Sequence, residues 1–234
     1  MIPKTIHYCW FSGEKPNRFT RNCIKSWKQA MPDYEIKCWD ANSFDFNSVP
    51  FVKEAFEAKK WAFVADYIRI YALYTEGGIY LDSDVKTFKP FDVFLTNQFF
   101  IGTEPPINNK VVVEAAIMGA EPFHPYLKDC LDYYGKLHFI KGDMTMLCPG
   151  IMSRVMEKYG YKHIDECQKL ETGIQIYDQT YFGHYSGTPR KDYYAIHYFD
   201  GSWRDEKHGP VTTFLKENDL LDIYFKFLKF LKII

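Results

Sequence analysis

The stretch that decides the fold of this chain is residues 65–85, ADYIRIYALYTEGGIYLDSDV. Across residues 62–73, apolar side chains recur at helical spacing, at Ala62, Ala65, Ile68, Ala72 and Leu73. Gly77 and Gly78 then predict the end of the helix, because glycine accepts the left-handed backbone that a helix C-terminus favours. The apolar run at residues 79–81 is too short for a helix and predicts a buried strand.

Two carboxylates, Asp82 and Asp84, follow this strand one residue apart. Carboxylates held so close repel each other, so the pair favours binding of a cation. Mg²⁺ and Mn²⁺ prefer oxygen ligands, and Mg²⁺ often combines one or two protein carboxylates with phosphate oxygens. The alternative is a polar turn after a strand. Asp66 and Arg69 lie one turn apart on one face of the preceding helix, and this context favours the cation site.

Together these residues resemble the sugar transferases that carry a DXD motif, in particular glycosyltransferase family 32, which includes yeast initiating mannosyltransferases and many bacterial capsule enzymes. A more distant similarity is to the glucosylating domain of the large clostridial toxins. The shared pattern A-D-x-x-R-x-x-x-L-Y-x-x-G-G-I-Y-x-D-x-D is met by Ala65, Asp66, Arg69, Leu73, Tyr74, Gly77, Gly78, Ile79, Tyr80, Asp82 and Asp84. The resemblance implies an α/β protein with the Rossmann-like GT-A fold, whose mixed, mostly parallel central sheet is flanked by helices. It also implies a nucleotide-sugar donor held through a divalent metal ion.

Alternating strands and helices along the rest of the chain favour the same architecture. Strands are predicted at residues 2–10, 34–39, 79–81, 99–102, 111–120, 173–177 and 193–198, and helices at residues 17–30, 51–75, 122–137 and 149–159. Trp10, Asp40 and the Asp82/Asp84 pair each stand at the carboxyl end of a predicted strand. Because ligands of open α/β sheets bind at that edge, these side chains predict a single crevice.

The resemblance also covers residues 2–13 and 196–203, and it implies roles for individual side chains. Trp10 ends the family's I-P-K-x-I-H-x-x-W opening and would lie against the nucleotide base, while His197, Ser202 and Trp203 match an H-x-x-x-x-S-W stretch that folds over the donor. The implied donor-binding residues are Trp10, Asp66, Arg69, Tyr80, Asp82, Ser202 and Trp203. The implied metal ligands are Asp82, Asp84 and His197, and the imidazole favours Mn²⁺ over Mg²⁺.

Other candidate residues are expected to be structural. Glu104 and Glu114 are carboxylates near strand ends, and His7 lies inside the first strand. The alternative for Trp10 is a core aromatic at a strand end. For His197, the alternative is that it is not a metal ligand, because the clostridial toxins use other residue types near this point. No catalytic nucleophile is evident.

The function expected from the resemblance is metal-dependent transfer of a sugar from a UDP- or GDP-sugar to a glycan or lipid-linked acceptor. Membership of the family implies retention at the anomeric carbon and a place in bacterial capsular or surface polysaccharide synthesis. One alternative is a non-catalytic protein that binds nucleotide sugars or carbohydrates. Another is a metal-dependent hydrolase that transfers the donor sugar to water.

The composition of the chain limits which class of protein and which cellular compartment fit it. A chain of 234 residues suits one sizeable α/β domain, and we expect the GT-A domain at residues 1–210 and an amphipathic helical segment at 211–234. The net charge of −1 lacks the basic excess of a nucleic-acid binder. The six cysteines form no C-x-x-C pair, which favours a reducing cytoplasm over a disulfide framework. The start is strand-like, with no signal peptide, and no apolar run approaches the ~20 residues that span a bilayer.

The C-terminal residues 219–234 differ in character from the rest. Lys226, Lys229 and Lys232 recur every third residue among apolar side chains, which predicts a narrow basic stripe beside a wide apolar arc. Such a helix can lie in a membrane interface with its lysines near anionic headgroups. We therefore expect a cytoplasmic protein, peripheral on the inner face of the bacterial plasma membrane. The alternatives are docking on the protein's own core or on a second subunit.

Overall fold

The computed structural model describes residues 1–107, 109–184, 192–199, 209–218, 220, 223–224, 227–228 and 231. The strands found there are β1 (Thr5–Cys9), β2 (Glu35–Trp39), β3 (Gly78–Leu81), β4 (Val85–Thr87), β5 (Phe99–Ile107), β6 (Lys110–Ala120), β7 (Gln168–Lys169), β8 (Ile174–Tyr177), β9 (Phe182–His184) and β10 (Ala195–His197). The α-helices are α1 (Arg18–Ala30), α2 (Pro50–Glu57), α3 (Trp61–Glu76), α4 (Pro125–Tyr134), α5 (Cys148–Met156) and α6 (Pro210–Glu217). In this part of the chain no helix is long and apolar enough to cross a membrane.

The central sheet contains seven strands in the order β2-β1-β3-β6-β5-β8-β7. β1 pairs in parallel with both β2 and β3, and β5 pairs in parallel with β8. β6 runs antiparallel to β3 and β5, and β7 runs antiparallel to β8. All the strands except β6 and β7 therefore point in one direction, and the predicted mixed, mostly parallel α/β sheet is confirmed.

A smaller sheet of three strands, β4-β10-β9, lies beside the central one. β10 pairs antiparallel with β4 and parallel with β9. The sequence did not predict β4, β7 or β9, because strands of two or three residues are too short to show an alternating pattern. The small sheet matters for function, since it joins the segment after residue 84 to the late part of the chain.

Local signals explain the helix boundaries. Asn17 caps α1 by accepting a hydrogen bond from the backbone N–H of Thr20 at 2.8 Å, so the helix begins where predicted. The helical stretch predicted at 51–75 consists of two helices, α2 and α3, because the chain turns between them through Lys59 at a φ of 54°. The core lies on both faces of the central sheet, with α2 to α5 on one side and α1 with the small sheet on the other.

The junction between α3 and β3 is confirmed at the two glycines. Gly77 and Gly78 have φ values of 67° and 102°, in the region that favours glycine. His7 is fully buried next to them, and its Nδ1 accepts a hydrogen bond from Trp39 Nε1 at 3.0 Å. The proton of its ring is therefore on Nε2, which donates to the carbonyl of Gly77 at 2.8 Å. This geometry agrees with the structural role expected for His7.

Candidate active site

The strand pairing brings the DXD segment and His197 together. β3 is buried along its whole length and ends at Leu81, and the backbone N–H of Val85 donates to the carbonyl of Asp82 at 2.9 Å to close a turn. β4 begins immediately after this turn, and its antiparallel pairing with β10 places Val85 opposite His197. The two parts of the site are distant in the sequence, and this pairing brings them together.

The three implied metal ligands form one cluster. Ligand atoms of Asp82, Asp84 and His197 lie within 4.8 Å of one another, and Nε2 of His197 is 3.5 Å from Oδ1 of Asp84. Carboxylate oxygens with one imidazole nitrogen form a donor set that suits Mn²⁺ and, less well, Mg²⁺. The residues present therefore fit a divalent cation.

The charges of the cluster also fit the binding of a divalent cation. Burial alone would lower the pKa of His197, but the carboxylates of Asp84 and Glu114 outweigh it and hold that pKa well above its usual value. Burial raises the pKa of Asp82, while Arg69 opposes the rise. A proton on the imidazole thus compensates the carboxylates, and a divalent cation could replace it.

Arg69 organises the helix side of the site. Its Nη1 donates to Asp82 at 3.2 Å and to the carbonyl of Ala115 at 2.9 Å, and its Nε donates to the carbonyl of Ala65 at 3.2 Å. Its Nη2 forms an ion pair with Asp66 at 2.9 Å. Arg69 therefore orients two carboxylates.

Tyr80 supports Asp82 from the strand. Its hydroxyl donates to Oδ1 of Asp82 at 2.8 Å, and the Arg69 guanidinium lies over its ring at 4.9 Å from the centroid. Both oxygens of Asp82 are thus held by protein groups. The expectation that Asp82 faces the donor remains a prediction.

The remaining predicted residues are placed as follows. Trp10 is half-buried just after β1, where its Nε1 donates to the carbonyl of Glu14 at 2.6 Å. Asp40 is exposed after β2 and caps its own turn, accepting hydrogen bonds from Asn42 N and Ser43 Oγ, both at 2.9 Å. Ser202 and Trp203 lie outside the described residues. The donor-binding roles of these side chains remain predictions.

A group of buried side chains behind His197 was not assigned to the site from the sequence. Glu114 and His184 hydrogen-bond at 3.0 Å, and Glu104 lies next to Glu114. The Phe199 ring lies against the His197 ring in a tilted contact, with 4.1 Å between centroids. Phe199 is 40% exposed and has a φ of 49°, which is unusual for a bulky residue. No local pattern marks these residues, because β5, β6, β9 and β10 meet only in the folded chain.

Residues 16–101 match the model of the family described as glycosyltransferase sugar-binding region containing DXD motif. The fold is similar to that of the PaToxG glycosyltransferase, with a TM-score of 0.50 and 16% identity over 67% of this chain and 69% of that chain. Residues 16–101 thus carry the sugar-binding region of the DXD glycosyltransferases, and the fold is that of the GT-A glycosyltransferases. The resemblance found at residues 65–85 is confirmed.

Three similar proteins are fungal. Inositol phosphoceramide mannosyltransferase 2 of Schizosaccharomyces pombe is 28% identical over 206 residues, which are 80% of this chain and 58% of the relative. Mannosyl phosphorylinositol ceramide synthase SUR1 of Saccharomyces cerevisiae is 29% identical, over 60% of this chain and 37% of the relative. The initiation-specific alpha-1,6-mannosyltransferase of Candida albicans is 28% identical, over 58% and 36%. This chain therefore spans between about a third and three-fifths of the length of these relatives.

Proposed function

We propose that this protein transfers a sugar from a nucleotide-diphospho-sugar donor to a glycan or lipid-linked acceptor, and that the reaction needs Mn²⁺ or Mg²⁺. The observation that carries the proposal is the cluster of Asp82, Asp84 and His197, with ligand atoms within 4.8 Å of one another inside a DXD sugar-binding fold. Asp84 and Nε2 of His197 would hold the cation. A bound cation would act as a Lewis acid toward the leaving nucleoside diphosphate.

The protein groups around the cation would orient the donor. Asp82, fixed by Arg69 and Tyr80, would face the ribose or the donor sugar. Asp66 and Arg69 would bind sugar hydroxyls. Buried polar groups of this kind discriminate strongly against the wrong sugar, because a missing hydroxyl leaves them unpaired. Trp10, at the end of β1, would stack on the base.

Mannose is the first donor sugar to test, because the names of three fungal relatives describe mannosyl transfer. Two of these names also specify a lipid, inositol phosphoceramide or phosphorylinositol ceramide, which favours a lipid-linked acceptor. A role in bacterial capsular or surface polysaccharide synthesis remains part of the proposal, although these relatives are fungal. Retention at the anomeric carbon is also proposed.

Calorimetric titration of GDP-mannose and UDP-glucose, each with Mn²⁺ and with EDTA, tests the metal dependence. We expect one donor to bind with Mn²⁺ only and its binding to be lost in Asp84→Asn, because that variant removes a charged ligand. Asp40→Asn is the matched control, since Asp40 is an exposed carboxylate after a neighbouring strand that caps its own turn. Donor affinity that is unchanged in EDTA would contradict the proposal.

Product analysis separates transfer from the two alternatives. A transferase releases nucleoside diphosphate much faster when an acceptor such as inositol phosphoceramide is present. A hydrolase releases it at the same rate without acceptor, and a binding protein does not release it at all. We place the protein in the cytoplasm, peripheral on the inner face of the bacterial plasma membrane, because its six cysteines form no C-x-x-C pair and residues 219–234 are rich in apolar side chains.

A further inference from the structure

A buried carboxylate lies directly behind His197. Glu114, on β6, has no exposed surface, and its oxygens accept three hydrogen bonds. The donors are the backbone N–H of Ala116 at 2.9 Å, Nε2 of His184 at 3.0 Å and Nδ1 of His197 at 3.4 Å. Glu114 thus faces three groups that can donate, and it acts as their acceptor.

The strands and one aromatic ring fix the two imidazoles in place. The parallel pairing of β9 with β10 sets His184 beside His197, so both side chains lie on the same face of the small sheet. Phe199 contacts both rings, with centroids 5.1 Å from His184 and 4.1 Å from His197. The orientation of His197 toward Glu114 is thus set by packing as well as by the hydrogen bond.

The hydrogen bond determines which nitrogen of His197 carries a lone pair. The oxygens of Glu114 accept from the groups around them, so Nδ1 is the donor in this hydrogen bond. In the neutral imidazole the lone pair is then on Nε2, and Nε2 is the atom 3.5 Å from Oδ1 of Asp84. A metal ligand needs its lone pair on the side of the metal, and a carboxylate behind a ligating histidine supplies this orientation.

We propose that Glu114 is a positioning residue for the metal centre: it holds the proton of His197 on Nδ1 and so presents Nε2 to the cation between His197 and Asp84. This inference rests on the proposed function, in which His197 is a metal ligand.

The same geometry argues against a second cation between Glu104, Glu114 and His197, whose ligand atoms also lie within 4.8 Å of one another. Nδ1 of His197 would have to lose the proton that it donates to Glu114. The hydrogen bond from Nδ1 to Glu114 therefore takes the place of a second cation.

Mn²⁺ binding, measured by the electron paramagnetic resonance signal of free Mn²⁺, tests the proposal in the full chain. Glu114→Gln should weaken Mn²⁺ binding by roughly 10–100-fold, the usual cost of losing such a support. Glu104→Gln is the matched control, because it changes a buried carboxyl next to Glu114 but leaves the hydrogen bond between Glu114 and His197 in place; its affinity should stay close to that of the unmodified protein. Equal affinities in the two variants would overturn the proposal.

A spectroscopic measurement on the unmodified protein does not depend on how well a variant folds. With ¹⁵N-labelled histidine and Cd²⁺ as a diamagnetic probe, we expect the ¹⁵N–Cd coupling of His197 on Nε2 and a proton on Nδ1. Coupling on Nδ1 would overturn the proposal.

The variant Asp84→Asn distinguishes a failure of the proposed metal centre from a failure of the role proposed for Glu114. If it leaves Mn²⁺ affinity unchanged, the proposed metal centre itself fails. If it weakens binding while Glu114→Gln does not, only the role of Glu114 fails.

Discussion

Asp66 shows how burial and one neighbour compete at a single residue. Its side chain is 10% exposed and forms an ion pair with Arg69 at 2.9 Å. Burial raises the pKa of Asp66 to about 7, and the attraction of Arg69 only partly opposes this. Arg69 also forms an ion pair with Asp82, so the positive charge of Arg69 is shared between two carboxylates. Near neutral pH this carboxyl therefore titrates in the folded protein.

The pH dependence of stability follows from this raised pKa. A carboxyl whose pKa is higher in the folded than in the unfolded state contributes stability that is complete below about pH 4 and is lost as the pH rises through about 7. Asp66→Asn removes this contribution. We therefore expect the free energy of unfolding of the variant, relative to the unmodified protein, to increase between pH 4 and pH 8.

The increase should be at most about 4 kcal/mol, because a tenfold change in the proton affinity of the carboxyl corresponds to about 1.4 kcal/mol. Urea denaturation at several pH values measures it, and Asp40→Asn is the control, because that carboxyl is exposed on the surface. A difference that is constant with pH would show that Arg69 keeps Asp66 ionised throughout.

At the scale of elements, the junction of α3 and β3 determines where the DXD segment starts. Gly78 lies so close to β1 that an added Cβ would be 2.6 Å from the carbonyl oxygen of Thr5 and 3.1 Å from Nε2 of His7. Only a residue without a side chain allows β1 and β3 to pair here. Gly78, directly after the glycine that ends α3, thus permits the strand pairing that positions Asp82.

Gly78→Ala should lower the free energy of unfolding by roughly 2–6 kcal/mol, since both backbone strain and a close contact are introduced. Gly142→Ala is a matched control, because Gly142 has a φ of 86° but nothing within 4 Å of an added Cβ. It should cost only the strain, about 1–2 kcal/mol. Urea denaturation compares the two variants, and equal losses would mean that the close approach of β1 is unimportant.

At the scale of the whole molecule, segments from the C-terminal part of the chain pack against segments from its N-terminal part. β10 carries His197 to the end of β4, and Leu215 of α6 packs near Phe19 and Cys23 of α1. Beyond α6, the described residues Ile223, Phe227 and Leu231 are spaced by four and are 62%, 57% and 46% exposed. This apolar stripe agrees with the amphipathic pattern of residues 219–234, most of which lie outside the described part of the chain.

Deletion of residues 219–234 should release the protein from anionic vesicles while leaving activity on a soluble acceptor intact. Each lysine near an anionic surface contributes about 1 kcal/mol, so the apolar side chains must supply the rest of the binding. Vesicle sedimentation at low and high salt, with melting curves of both forms, is the measurement. Full-length protein that stays in the supernatant at low salt would exclude membrane binding.

The sequence alone determined the fold class, the α3–β3 junction and the DXD pair. These features could be predicted because helical period, glycine conformation and a short apolar run are properties of neighbouring residues. Even so, the pattern of residues 51–75 predicted one continuous helix, since the break at Lys59 leaves little trace in the periodicity. The family resemblance added His197 to the expected metal ligands.

Only the tertiary structure decided what stands behind the metal ligands. Glu114 was expected to be structural, and His184 was not singled out at all, yet both lie in one hydrogen-bonded group with His197. Their meeting depends on the register of β9 with β10 and on the position of β6. β9 and β10 have three residues each, too few for their sequence to encode a partner or a register, so the packing of the whole domain sets both.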